Sequence, residues 1–209
     1  MATTMMTDLI FQAIIILVML FMFLWTLNIP QKYYDKFQFR DRSSYAAKRH
    51  FVRGADFLSK SRTYKNREFA KSAVDEAEKS IAINPKDAAA HILKALALDA
   101  QGFTTSALEA MDIALSPLTK NSLCDEERSD GLVKRAEIKV KAKGVDSAVV
   151  DLVEAVRLNE ENVTALRLLG ECYEKKGMRE EAVKAYMDVV KVEPQNAVAQ
   201  TALKRLGSI

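Results

Sequence analysis

From Leu9 to Leu27 the chain reads LIFQAIIILVMLFMFLWTL, nineteen residues in which only Gln12 and Thr26 are polar and none is charged. As a helix rising 1.5 Å per residue, that run is about 28 Å long, the thickness of one hydrocarbon core. Beyond Arg67 the pattern changes. Apolar residues recur at every third or fourth position, in runs closed by Gly, Asn or Pro, which predicts amphipathic helices joined by tight turns. All four prolines, Pro30, Pro85, Pro117 and Pro194, stand at the boundaries of such runs, where a missing N–H does least harm. Nothing reads as a strand, so the fold class is all-α. Between these regions Tyr33–Arg67 is polar, basic and dotted with aromatics.

The apolar run reads as a transmembrane helix over 9–28 behind a short tail, 1–8. Its Leu, Ile, Phe and Val side chains favour insertion by a total of about 5 kcal/mol. A cleaved signal peptide needs a basic leader and small residues at the cleavage site, but MATTMMTD carries only an acid and WTLNIPQK has no such pattern. Lys32, Lys36, Arg40, Arg42, Lys48, Arg49 and Arg53 follow the span, against Asp35 and Asp41. This asymmetry predicts that the C-terminal portion faces the cytosol. Trp25, Tyr33 and Tyr34 suit the interface.

The helical part repeats. In VTALRLLGECYEKKGMREEAVKAYMDVVKVEPQN, Val163 to Asn196, the residues Leu166, Leu169, Gly170 and Tyr173 mark one helix face. Gly177 ends that helix, and Ala182, Tyr186 and Val189 mark a second helix before Pro194. One period earlier Leu132, Ala136, Ala148, Leu152, Ala155 and Asn162 stand thirty-four positions before Leu166, Gly170, Ala182, Tyr186, Val189 and Asn196, with no gap. Ala95, Gly102, Ala107, Met111 and Ala114 repeat the scheme upstream. Gly54, Ala73, Ala77 and Pro85 form a degenerate first unit whose turn, around Ser59 to Asn66, is too long.

This pattern resembles the tetratricopeptide repeat, in which a large residue, Leu, a small residue and Tyr on helix A precede Ala, an aromatic, Ala and Pro on and after helix B. Leu166 stands where tryptophan is usual, and Val189 where alanine is usual. The resemblance implies a tetratricopeptide-type solenoid of helical hairpins, with units at 44–86 (degenerate), 87–121, 129–162 and 163–196 and a capping helix at 197–209. A basic juxtamembrane linker, 29–43, precedes them. Asn121 to Asp130 is a charged excess, either an inserted loop or an extended helix start. Each hairpin cannot bury its apolar stripe alone, so neighbours must stack.

The resemblance also implies a partner groove lined by the A helices. The family's groove-facing offsets fall on Ile92, Leu96 and Asp99, then Val133, Glu137 and Val140, then Arg167, Glu171 and Glu174. Some family members clamp the C-terminal carboxylate of heat-shock chaperones through Lys, Asn and Arg. Here Ala55 and Leu93 stand where Asn is needed, and the third helix offers Asp130 with Lys134, so this clamp is expected to be absent.

The remaining chemistry is sparse. Cys124 and Cys172 give no disulfide framework and fit a reducing compartment, while His50 and His91 have no ligand spacing with them. No phosphate-cradling glycine loop occurs, and Cys172 has no base near it in sequence, so neither catalytic residues nor a cofactor nor a metal is expected. From Lys32 to Arg67 there are eleven Lys or Arg against three Asp. That excess can determine topology, and it can also meet anionic lipid. No motif supports nucleic acid. The expected function is a membrane-anchored adaptor or assembly factor binding a polypeptide. The alternatives are an organelle-surface targeting receptor or co-chaperone, or a constitutive subunit of a membrane complex, in the endoplasmic reticulum or the mitochondrial or plastid outer membrane. Asn162-Val163-Thr164 is a sequon that a cytosolic array leaves bare.

Overall fold

The computed structural model describes residues 12–19, 29–119 and 122–207. The chain divides into two compact units, Met1–Ala46 and Ala47–Ile209. In the first, residues 12–19 are helical (α1) with exposed side chains. The remainder of the apolar run Leu9–Leu27 lies outside the described residues. Among the described residues no helix is long and apolar enough to cross a membrane. The stretch 29–43, expected as a linker, is helical and belongs to α2, Ile29–Tyr64.

The second unit is a stack of helical hairpins. α2 pairs with α3 (Arg67–Ile83), α4 (Ala88–Gln101) with α5 (Thr104–Ala114), α6 (Asp125–Lys141) with α7 (Val145–Leu158), and α8 (Val163–Lys175) with α9 (Arg179–Val192). A short α10, Ala197–Arg205, covers α9. No strand occurs among the described residues. Each hairpin packs on the next through its second helix, and α6 also touches α8 directly.

The local causes recur with the period. Asp87, Asn162 and Asn196 cap α4, α8 and α10, each side-chain oxygen accepting a backbone N–H of the first turn at 3.0–3.1 Å. Within the hairpins one residue takes the left-handed conformation that ends the first helix: Lys65, Gly102, Lys143 and Gly177. Gly177 and Lys143 occupy equivalent positions. In both turns the next residue's N–H reaches back to a carbonyl five residues earlier, Met178 to Tyr173 at 2.9 Å and Gly144 to Lys139 at 2.8 Å.

Small residues sit where helices approach most closely. A Cβ on Gly170 would lie 2.8 Å from the Tyr186 ring, and one on Gly54 would lie 2.8 Å from Leu93 Cδ2. Leu132, Ala136, Ala148, Leu152, Ala155, Leu166, Leu169, Ala182 and Tyr186 are all buried. Tyr173 is half-buried against two core clusters, whereas Pro194 is exposed in the turn after α9. The excess Asn121 to Asp130 contributes an extended helix start. α6 begins eleven residues before Ala136, while α8 begins seven before Gly170, so α6 is about one turn longer. Its N-terminus is held by Glu127, whose carboxylate accepts the Cys124 N–H at 2.9 Å.

Candidate functional site

The first helices of the hairpins line one face of the array, and that face changes character along its length. At its N-terminal end a groove of about 580 Å³ runs between α2, α4 and the start of α6. Its walls are Phe51, Ala55 and Leu58 from α2, Ala89, Ile92, Leu93 and Leu96 from α4, and Leu123 with Gly131 from α6 and its approach. Polar side chains stand among them: Ser59, Arg62 and Thr63 on one side, Glu127, Asp130 and Lys134 on the other. Two of these acids already have partners. Glu127 holds the N-terminus of α6, and Asp130 accepts from the Asn162 amide at 2.9 Å. Arg62 has no hydrogen-bond or ion-pair partner among the described residues.

The groove exists because the side chains at these positions are short or apolar and no further helix among the described residues covers them. Gly131 allows close approach, since a Cβ there would meet Leu115 at 3.0 Å and Ile92 at 3.6 Å. Ile92 and Leu96, two of the residues expected on the partner face, line this groove and are half-buried. They also pack on the edges of the cores beneath. Ala55 lines it where a carboxylate clamp needs Asn, and Leu93 is 4% exposed.

The other expected partner residues are placed differently. Val133 is 2% exposed and sits in the core formed with Leu168, Leu169 and Cys172, because α8 packs directly on α6. It does not face a partner, and Val140 packs on the edge of the same core. Asp99 is tied to Lys141 at 2.5 Å, and Glu137 receives Lys134 at 3.2 Å. Arg167 and Glu171 pair with each other across one helical turn. Glu174 accepts the Tyr186 hydroxyl at 2.7 Å and the Arg205 guanidinium at 2.6 Å. A second depression of about 650 Å³ lies over these residues and α10, walled by Glu171, Glu174, Thr201 and Arg205. Both of its acids are engaged, Glu171 by Arg167 and Glu174 by Arg205, while Lys175 at its edge has no ion-pair partner among the described residues.

Two polar networks hold the array rigid beneath these surfaces. Asp151 on α7, 4% exposed, receives Arg135 through two hydrogen bonds at 2.9 and 2.6 Å and Lys139 at 2.7 Å. Arg135 continues to Asp112 on α5 at 2.8 Å. Burial opposes the Arg135 charge, but the hydrogen bonds and field of Asp151 outweigh it and raise its pKa. In the first hairpin Glu76 accepts Lys79 at 2.6 Å and His50 at 2.7 Å, and those bonds hold its carboxyl below the usual value. Among the described residues no buried side-chain polar atom lacks a partner.

The groove's lining holds no histidine or cysteine. Cys172 is buried, and burial pushes its thiol pKa up, away from the reactive thiolate. Cys124 is exposed at the N-terminus of α6, beside Asp125, Glu126 and Glu127. Among the described residues no three His, Cys, Asp or Glu side chains are grouped to hold a metal ion. Sequence reasoning missed the α2 wall of the groove. The alternation of Phe51, Ala55 and Leu58 at helical spacing was a signal for it, hidden by the irregular length of the first unit.

Residues 164–196 match the tetratricopeptide repeat family model. No curated protein sequence matches the chain. Several solved structures are similar to it. The MamA protein is 16% identical, with 76% of this chain and 84% of MamA covered and a TM-score of 0.57. YrrB, described as a TPR protein with an unusual peptide-binding site, is 18% identical, with 73% and 77% covered and a TM-score of 0.53. PilF of Pseudomonas aeruginosa is 16% identical, with 75% and 68% covered and a TM-score of 0.60. These likenesses establish the fold. The chain is an all-α solenoid of tetratricopeptide type, in which one unit carries the family's sequence pattern.

Proposed function

We propose that this protein is a membrane-anchored adaptor or assembly factor that binds a polypeptide in the groove between α2, α4 and α6, and that binding rather than catalysis is its activity. The single observation carrying this reading is the open apolar groove, whose Phe51, Ile92 and Leu96 are left accessible on a scaffold in which, among the described residues, every buried side-chain polar atom has a partner. Half-buried apolar side chains in a concave surface are what a peptide's anchor residues fill. The description of YrrB as having a peptide-binding site supports the same reading by likeness of fold.

The anchor is proposed from the sequence Leu9–Leu27, with the array on the cytosolic side of an endoplasmic reticulum or organelle outer membrane. Tethering raises the local concentration of a weakly held partner at that surface. Lys48, Arg49 and Arg53 on α2 have no ion-pair partner among the described residues, which suits contact with anionic lipid headgroups. The sequon is a poorer reporter of topology than its sequence suggests. Asn162 is 8% exposed and its amide donates to Ser129 Oγ at 3.0 Å and to Asp130, so a glycan attached there before folding would conflict with the folded array. A sequon introduced on the exposed α9–α10 turn reports orientation instead.

The test is photo-crosslinking from the full-length protein in cells. A benzophenone side chain at Leu96 is expected to trap a discrete polypeptide, and the same group at Thr201 is expected to trap none. Equal adducts from both positions, or adducts from Thr201 alone, reject the groove assignment. Trapped species of fixed stoichiometry on a native gel favour the constitutive-subunit reading over the adaptor.

A further inference from the structure

The first hairpin is longer than the others, and its extra length is basic. α2 runs ten residues past Gly54 to Tyr64, whereas α6 and α8 run five past Ala136 and Gly170. α3 begins six residues before Ala73, whereas α5, α7 and α9 begin three before Ala107, Ala148 and Ala182. The seven or so extra residues therefore add about one turn to each helix, and the hairpin extends past its neighbours by roughly 5 Å. Phe57 stacks on Phe69 with centroids 6.5 Å apart, and Tyr64 lies 6.1 Å from Phe69, so the extension is packed. Ser61 fastens its turn by donating to the Asn66 carbonyl at 3.0 Å.

This tip carries Arg62, Lys65 and Arg67. Together they line a cleft of about 260 Å³ against Ala100 at the end of α4, and Arg62 also lines the apolar groove. None of the three has a hydrogen-bond or ion-pair partner from its side chain among the described residues. Elsewhere in the array Arg135, Lys139, Lys141, Arg167 and Arg205 are each paired with a carboxylate. The cleft that adjoins the groove through Arg62 thus gathers three cations with no ion-pair partner among the described residues, with Glu68 the nearest acid in sequence, while the groove's own acids, Glu127 and Asp130, are engaged.

We propose that the polypeptide taken by this groove is acidic at one end: apolar side chains enter between Phe51, Ile92 and Leu96, and carboxylates of the same segment are received by Arg62, Lys65 and Arg67. The inference rests on the groove reading above and adds the partner's chemistry. Guanidinium groups accept carboxylates in paired hydrogen bonds, and rim charges select partners by sign. The lengthened hairpin is the device that brings those charges to the groove's end.

The experiment is selection from a random displayed-peptide library on the full-length protein in detergent, followed by affinity measurement of one synthetic winner. Enriched sequences are expected to join apolar residues to Asp or Glu. Affinity is expected to fall about tenfold in the double variant Arg62→Glu with Arg67→Glu and to recover with Arg62→Lys and Arg67→Lys. Both positions are exposed, so an unchanged melting temperature separates this effect from misfolding. Winners without carboxylates, or unchanged affinity in the double Glu variant, overturn the acidic-partner inference alone if Leu96→Glu still abolishes binding. Binding that survives Leu96→Glu, or a selection with no winner, overturns the groove reading and this inference with it.

Discussion

The first two hairpins and the last two use the same helical scaffold for opposite surface chemistry. In the last two, the face formed by the first helices is closed on itself. Arg167 pairs with Glu171, Glu174 holds both Tyr186 and Arg205, and Val133 has gone into the core. In the first two that face is apolar and open, and Arg62 at its rim has no ion-pair partner among the described residues. Sequence regularity and open apolar surface are therefore divided along the chain. In the unit that matches the family model, 164–196, the charges on the shared face, Arg167, Glu171 and Glu174, are paired, and the irregular first unit supplies one wall of the open groove.

The largest way to break this division is to attack the network that stiffens the committed half. Asp151→Ala leaves Arg135 only its pair with Asp112 and Lys139 without a carboxylate beside a partly buried space, and is expected to cost about 3 kcal/mol in chemical denaturation. Glu76→Gln, its counterpart in the first hairpin, keeps a hydrogen-bond acceptor and is expected to cost about 1 kcal/mol or less. Equal losses would show that the two halves are held alike.

Tyr186→Phe comes next. It removes the hydroxyl donated to Glu174 while leaving the ring against Gly170, and is expected to cost about 1.5 kcal/mol. Peptide affinity at the distant groove is expected to stay unchanged, and a parallel loss there would contradict the separation.

The two halves also differ in their response to pH. Glu76 is held below its ordinary value of 4.5, first by its hydrogen bond from Lys79 and then by that from His50. A lowered carboxyl pKa contributes stability that is complete above pH 4.5 and lost as the pH falls through the folded value. Tyr186 is raised above its ordinary value of 10.0, first by burial and then by its bond to Glu174. Its contribution is complete below pH 10 and lost as the pH rises toward the folded value. Acid is expected to open amides of α2 and α3 first, and alkali those of α8 and α9, in hydrogen exchange. The reverse order would break the comparison.

The smallest effect concerns the turn between α6 and α7. Lys143 sits at φ 63°, a left-handed conformation that costs a side-chain-bearing residue about 1 kcal/mol or more, where the equivalent residue in the last hairpin is Gly177. Lys143→Gly is expected to raise stability by about 0.5 kcal/mol after the entropy of the added glycine is subtracted. Destabilisation would mean that Lys143 makes a compensating contact.

Much of the fold was legible because the thirty-four-residue period records packing directly. Gly170 is small because the Tyr186 ring occupies its Cβ position, and Ala136 can carry a methyl where Leu152 replaces that ring. The groove was only half legible. Ile92 and Leu96 followed from their offsets, but the same offset on α6 gave Val133, which the contact between α6 and α8 buries. The pairing of the charged positions was legible only in part: sequence spacing finds a pair such as Arg167 and Glu171, yet the joining of Glu174 to Arg205, thirty-one residues apart, depends on where α10 folds back.

What the sequence by itself determined was the periodic part: helices, turns, small contact positions, and an uncharged run from Leu9 to Leu27 long enough for a bilayer. Those are local properties, set by residues a few positions apart. Only the tertiary structure decided which side chains on the shared face remain available. Availability depends on which helix covers a position and which opposite charge arrives from elsewhere in the chain, and stacking brought Arg205 to Glu174 while pairing Arg62, Lys65 and Arg67 with no carboxylate among the described residues.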